Sequence, residues 1–161
     1  MVKRLRYLIL IALMLSAVDA YAGTSDTVTI NYSVEQVCSV ALSSATTSMQ
    51  ITGSSRDGDY IQVVNNVLSM AMTSNVPSRK IIASLSENMA ANTWLYMTVS
   101  VPEGWSTNGE TLITSTPATL ASGGVIIQGG LSISMRFRAY VMAGPISTRS
   151  VTVYMTIMDN V

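Results

Sequence analysis

The chain contains no histidine. That absence removes Ser-His-Asp and Cys-His nucleophilic systems, HExxH zinc sites and imidazole-based proton transfer together. Cysteine is nearly missing as well: Cys38 stands alone, so no intrachain disulfide can form, and one thiol without imidazoles leaves no zinc or copper cage. Its neighbours Val37 and Val40 predict burial as a small hydrophobe. Charge is scarce too, with nine basic and nine acidic residues in 161. So few charges give no electrostatic footprint for nucleic acid or an anionic membrane surface. Solubility must come from Ser and Thr hydroxyls, a composition suited to an exported β-protein and unlike a cytosolic helical one.

One long apolar run exists, and it lies at the N-terminus. Lys3, Arg4 and Arg6 precede an almost unbroken apolar stretch from Tyr7 to Val18, and Ala20-Tyr21-Ala22 supplies a small-x-small pattern. The arrangement predicts a cleaved export signal peptide over residues 1–22. The run is short of the roughly 20 residues a spanning helix needs, so no transmembrane anchor is expected. Residues 23–161 then form one domain, with six basic and eight acidic residues once Lys3, Arg4, Arg6 and Asp19 are removed.

Alternation with period two recurs through this domain, and helical periodicity does not. Leu131, Ile133, Met135, Phe137, Ala139 and Val141 share one face; Ser132, Ser134, Arg136, Arg138 and Tyr140 share the other. Val151, Val153, Met155 and Ile157 repeat the pattern at the C-terminus. So do Leu95, Met97, Val99 and Val101, then Leu68, Met70 and Met72, and near the N-terminus Val28, Ile30, Tyr32 and Val34. Less regular strands are expected over 46–52, 80–85, 118–120 and 125–128, while 60–68 reads equally as a helical turn. Turn signals fall at Asp57-Gly58-Asp59, Asn75 to Pro77, Pro102-Glu103-Gly104, Asn108-Gly109, Gly123-Gly124, Gly129-Gly130 and Gly144-Pro145. Seven to nine short strands at this spacing predict an all-β, antiparallel, immunoglobulin-like β-sandwich. Met70, Met72, Met97, Met135 and Met155 read as adaptable core filler.

Candidate chemistry is sparse. Asp57 with Asp59, and Glu103 with Glu110, are the carboxylate pairs to which glycoside hydrolysis could be assigned. Both fall among Gly, Asn and Ser, where acids commonly form turns. The 56–59 stretch does not meet calcium-loop spacing. The chain therefore reads as a non-enzyme, with no catalytic residue, no metal site and no cofactor. Trp94 and Trp105 are the candidate platforms for a carbohydrate-binding or adhesin module.

Three local features carry a resemblance. A short polar tip follows the leader, then the alternating residues Thr27 to Val34 and Cys38-Ser39-Val40. Ser74-Asn75-Val76-Pro77 leads into a strand. Gly144-Pro145-Ile146 leads into a last strand, Val151 to Ile157. Together they resemble chaperone–usher fimbrial (pilin-like) subunits of the archaic or spore-coat-U-like group, many of which carry a disulfide where this chain has Cys38 alone. The resemblance implies a surface-fibre (fimbrium, pilus) subunit in the periplasm or at the cell surface. Its N-terminal strand, within residues 23–40, would be donated to a neighbouring subunit with Val28, Ile30, Tyr32 and Val34 as inserted side chains, and a periplasmic chaperone would be a partner. Read from the residues without that resemblance, the same strand pairs within its own chain.

Overall fold

The computed structural model describes residues 29–51 and 56–160. The leader and Val28 lie outside the described residues. The chain divides into two units, one ending at Val34 and one comprising Glu35–Val161.

Glu35–Val161 is built from strands. In chain order they are β1 (Cys38–Leu42), β2 (Arg56–Asp57), β3 (Tyr60–Ser74), β4 (Arg79–Leu85), β5 (Thr93–Val99), β6 (Ser106–Thr107), β7 (Thr111–Ile113), β8 (Ala118–Gly123), β9 (Ile126–Tyr140) and β10 (Val153–Asp159). A single 3-10 turn, Val141–Ala143, follows β9. All pairings are antiparallel. One sheet runs β1-β3-β9-β5-β7, with β2 also on β3; the other runs β10-β4-β8-β6.

Alternation explains why these sheets stack. A strand with period-two hydrophobicity has one apolar face, which must be covered. Met70 and Met72 of β3, Leu95, Met97 and Val99 of β5 and Leu131, Ile133 and Met135 of β9 meet Ile81, Ala83 and Leu85 of β4 and Leu120 of β8 in one core. The fold is thus an antiparallel β-sandwich with a methionine-rich centre. Four of the five methionines expected in the core are buried, and Met155 packs against it half-buried.

Several expectations are corrected. Residues 60–68 are not a helical turn: they open the fifteen-residue β3. Residues 46–51 form no strand. Gly129-Gly130 is not a turn. The pair lies inside β9, where Met70 faces Leu131 but Met72 faces Gln128, so β9 carries an extra residue there. Gly130 takes φ 74°, open to glycine at little steric cost, and the pair forms a bulge. Residues 126–128 are accordingly the start of β9 and not a separate strand, and Val125 precedes it. A second bulge lies on β3, between Asn65 and Leu68, where the Val67 amide donates to Asn65 Oδ1 at 2.9 Å. Among the described residues, no helix is long and apolar enough to cross a membrane.

Candidate functional site

The two ends of the strand order differ. On one side of the sandwich the edge strands are β6 and β7, of two and three residues. Such short edges offer little ladder to a newcomer. On the other side they are β1 and β10, of five and seven residues. Each has a hydrogen-bonded neighbour on one flank only, β3 and β4 respectively, among the described residues.

Between β1 and β10 runs an open groove lined by Val40, Leu42, Val153, Met155 and their neighbours. The inward rows of β4 and β5 are completely buried, whereas that of β10, Val153, Met155 and Ile157, is only half-buried. Leu42 of β1 is 40% exposed. The side rows are apolar by sequence, so the gap reflects missing cover and not a polar insertion. The core is finished at the β6/β7 side and unfinished here.

The far end of β10 is tied down. Asp159 lies opposite Arg79 of β4, and the Arg79 Nη1 donates to Asp159 Oδ1. Arg79 is buried, whereas Asp159 reaches solvent. Ser78, at φ 62°, donates its hydroxyl to the Asn160 carbonyl at 3.0 Å, and the Asn160 amide donates to the Ser78 carbonyl at 2.9 Å. This clamp holds β10 at one lip of the groove.

The N-terminal candidates stand elsewhere. Residues 29–34 form no strand, and Ile30, Tyr32 and Val34 are 77%, 89% and 81% exposed. Val28 lies outside the described residues. Among the described residues, 29–34 of the expected strand are therefore not in a sheet.

The two tryptophans part company. Trp105 is 8% exposed, and its Nε1 is buried without a hydrogen-bond partner among the described residues. Its ring closes over Gly123 and so offers no stacking platform. Trp94 lies half-buried on the outer face of β5. There Tyr60 packs edge-on to it at 5.6 Å and to Tyr140 at 5.8 Å, with the Arg138 guanidinium 4.2 Å from the Tyr60 ring centre. Cross-strand register assembles this cluster, setting Trp94 opposite Arg138 and Tyr60 opposite Tyr140. Arg136, Arg138 and Tyr140 share one wet face by sequence alternation, but nothing in the sequence marks Tyr60 as joining them, because 60–68 lacks a strand's period.

One member of each acidic pair is engaged by an arginine of β9. Asp57 Oδ2 accepts from Arg138 Nη2 at 2.8 Å. Glu110 Oε1 lies 3.1 Å from Arg136 Nε, an ion pair without hydrogen-bond alignment. Asp57-Gly58-Asp59 forms the β2–β3 turn, with Gly58 at φ 60° and its carbonyl accepting from Arg56 Nε at 2.7 Å. No group of three or more Cys, Asp or Glu positioned for a metal occurs among the described residues. Cys38 is half-buried at the start of edge strand β1, less hidden than its valine flanks predict.

Comparison of the sequence with protein-family models and with curated proteins gives no match.

Proposed function

We propose that the chain is an exported structural subunit of a surface fibre, joined to its neighbours by β-strand addition. Residues 28–34 of one copy would enter the β1/β10 groove of the next. The observation that carries this reading is the coexistence of an unfinished core at a long open edge with the exposed apolar side chains Ile30, Tyr32 and Val34, which among the described residues lie in no strand. In strand addition, main-chain hydrogen bonds complete the open ladders and alternate side chains fill the gap, which sets the register. Burying an exposed Ile, Tyr or Val side chain stabilises by about 1.5–3 kcal/mol, so three or four such residues are a substantial driving force. On this reading a chaperone guards the groove before assembly, the leader sends the chain out of the cytoplasm, and no catalysis is involved.

The test is the solution state of the exported protein. Fibres or a concentration-dependent ladder of oligomers, lost on deletion of residues 23–34, support the proposal. A stable monomer with residues 23–34 intact argues against it.

The Tyr60–Trp94–Tyr140–Arg138 cluster favours a second reading, a carbohydrate-binding or adhesin module. Half-buried aromatics beside arginine on an outer sheet face offer both stacking and hydrogen bonds to a sugar. Binding on a glycan array that disappears with Trp94→Ala supports it; a blank array counts against it.

A further inference from the structure

Residues 35–37 do more than connect the apolar row to β1. Asn75, just past the end of β3, grips them three ways. Its Nδ2 donates to the Glu35 carbonyl at 2.7 Å, its Oδ1 accepts from the Val37 amide at 2.8 Å, and its own amide donates to the Val37 carbonyl at 3.2 Å. Asn75 is itself held by what surrounds it. The preceding Ser74 is fully buried, its hydroxyl exchanging hydrogen bonds with both the amide and the carbonyl of Val76, and Pro77 and the left-handed Ser78 follow. The grip therefore extends the β1–β3 ladder by side chain beyond Cys38↔Ser74 and keeps the incoming chain in line with β1.

Register makes this consequential. Cys38, Val40 and Leu42 of β1 face the core side, since they pair with the buried Ser74, Met72 and Met70. In an antiparallel pair, residues directly opposite share a face. For the chain to fold back on its own β1 with Ile30, Tyr32 and Val34 turned inward, even-numbered residues must face even-numbered residues. Any such reversal centres on residue 35, 36 or 37. The tight version is a three-residue loop, Glu35-Gln36-Val37, and that loop type favours a glycine in a left-handed position. None of the three is glycine. A two-residue loop at Glu35-Gln36 shifts the register by one and turns Thr29, Asn31 and Ser33 inward instead, the face flip that a single-residue slip always produces.

We infer that Asn75 is a positioning residue that makes strand addition intermolecular: by holding Glu35–Val37 in line, it denies the apolar row its own groove and delivers it to a second copy of the chain. This rests on the strand-addition reading of the groove and decides between the exchanged and the self-paired strand. The energetic scale is adequate. A tenfold shift in the competition between self-pairing and exchange corresponds to about 1.4 kcal/mol, within what two side-chain hydrogen bonds supply.

The experiment uses the full chain, expressed with its leader and recovered as exported. Cys38→Ser removes the native thiol, and Ser33→Cys with Thr156→Cys places one thiol beside the apolar row and one on β10, neither replacing an inward apolar residue. Isotopically light and heavy chains are mixed, joined with a short bismaleimide and read by mass spectrometry. With Asn75 in place, links between copies dominate. With Asn75→Ala the fraction of links within one copy rises by about tenfold, and with Asn75→Asp, which keeps the acceptor for Val37 and loses the donor to Glu35, it rises less. Asn75→Asp carries the test if the alanine variant does not fold. Links between copies at an unchanged ratio in both variants overturn the role of Asn75 and leave strand addition standing. A majority of links within one copy in the Asn75 protein overturns the inference directly. No links of either kind remove strand addition and the inference with it.

Discussion

A Cβ placed on Gly123 would overlap Cγ and Cδ2 of the Trp105 ring. Gly123 ends β8, opposite Arg79, and Trp105 lies just before the short β6, after the turn at Pro102, whose carbonyl accepts from the Trp105 amide at 3.2 Å. The indole thus caps the core at the closed side of the sandwich, over backbone that only glycine leaves clear. Gly123→Ala forces the ring aside and is expected to destabilise by about 1–3 kcal/mol, as overpacking does. Urea unfolding checks it; an unchanged midpoint contradicts the packing.

The Arg79–Asp159 pair leads to a second prediction. Asp159→Ala leaves a buried guanidinium without its partner, and a cost of about 1–3 kcal/mol follows. Because the clamp sits at the end of β10, the loss is local: amides of 153–159 exchange faster while those of β5 and β9 do not. Replacing both members, Arg79→Met with Asp159→Ala, recovers most of the loss, since no charge is then stranded. The readout is hydrogen exchange resolved by peptide.

Groove residues separate assembly from folding. Met155 is half-buried and packs against the core from the edge, so Met155→Lys leaves the compact unit folded with its amine in the opening. The charge then meets an incoming apolar strand, and affinity for that strand falls by at least about tenfold. Ile30→Lys acts from the other partner with no effect on the sandwich, since Ile30 lies outside it by sequence and is exposed. Equal assembly by either variant and the unsubstituted chain, measured by light scattering, is the contrary result.

The aromatic cluster gives a stability prediction independent of any ligand. Arg138 spans Tyr60 and Asp57, a cation–π contact and an exposed ion pair. Arg138→Gln costs about 0.5–2 kcal/mol, more than an exposed ion pair alone supplies. Asp57→Asn, which keeps the ring contact, costs less. The order of the two unfolding midpoints decides.

Most of the layer architecture could be read from the sequence because the strands bury one face each. Leu131 to Met135 and Leu95 to Val99 alternate in burial as their sequence alternates, while Phe137, an inward position by sequence, is half-buried like its neighbours Arg136 and Arg138. Reading failed where alternation breaks. The bulge at Asn65–Leu68 puts Val67 in solvent at 83% exposure, so the start of β3 lost its period and looked helical. Gly129-Gly130 has the composition of a turn, and only the pairing of β3 with β9 turns it into a bulge. The strands β2, β6 and β7 are two or three residues long, too short for a period to show. At the candidate site, the alternation of residues 28–34 was legible, with a neighbouring subunit or the chain's own sheet as alternative partners, but residues 29–34 form no strand. The groove was not legible, because it is a property of which strands end up at the edge. Asn75 had the look of a turn former, and its three contacts with residues 35–37 become visible only with β1 laid beside β3.

The most direct measurement is the affinity of a synthetic peptide spanning residues 23–36 for the compact unit that begins at Glu35, followed by fluorescence polarisation. The account predicts saturable binding, loss of it when Ile30 and Tyr32 of the peptide are both replaced by Asp, and competition between the peptide and assembly of the intact chain. A folded Glu35–Val161 unit that ignores the peptide, alongside an intact chain that stays monomeric at high concentration, contradicts it.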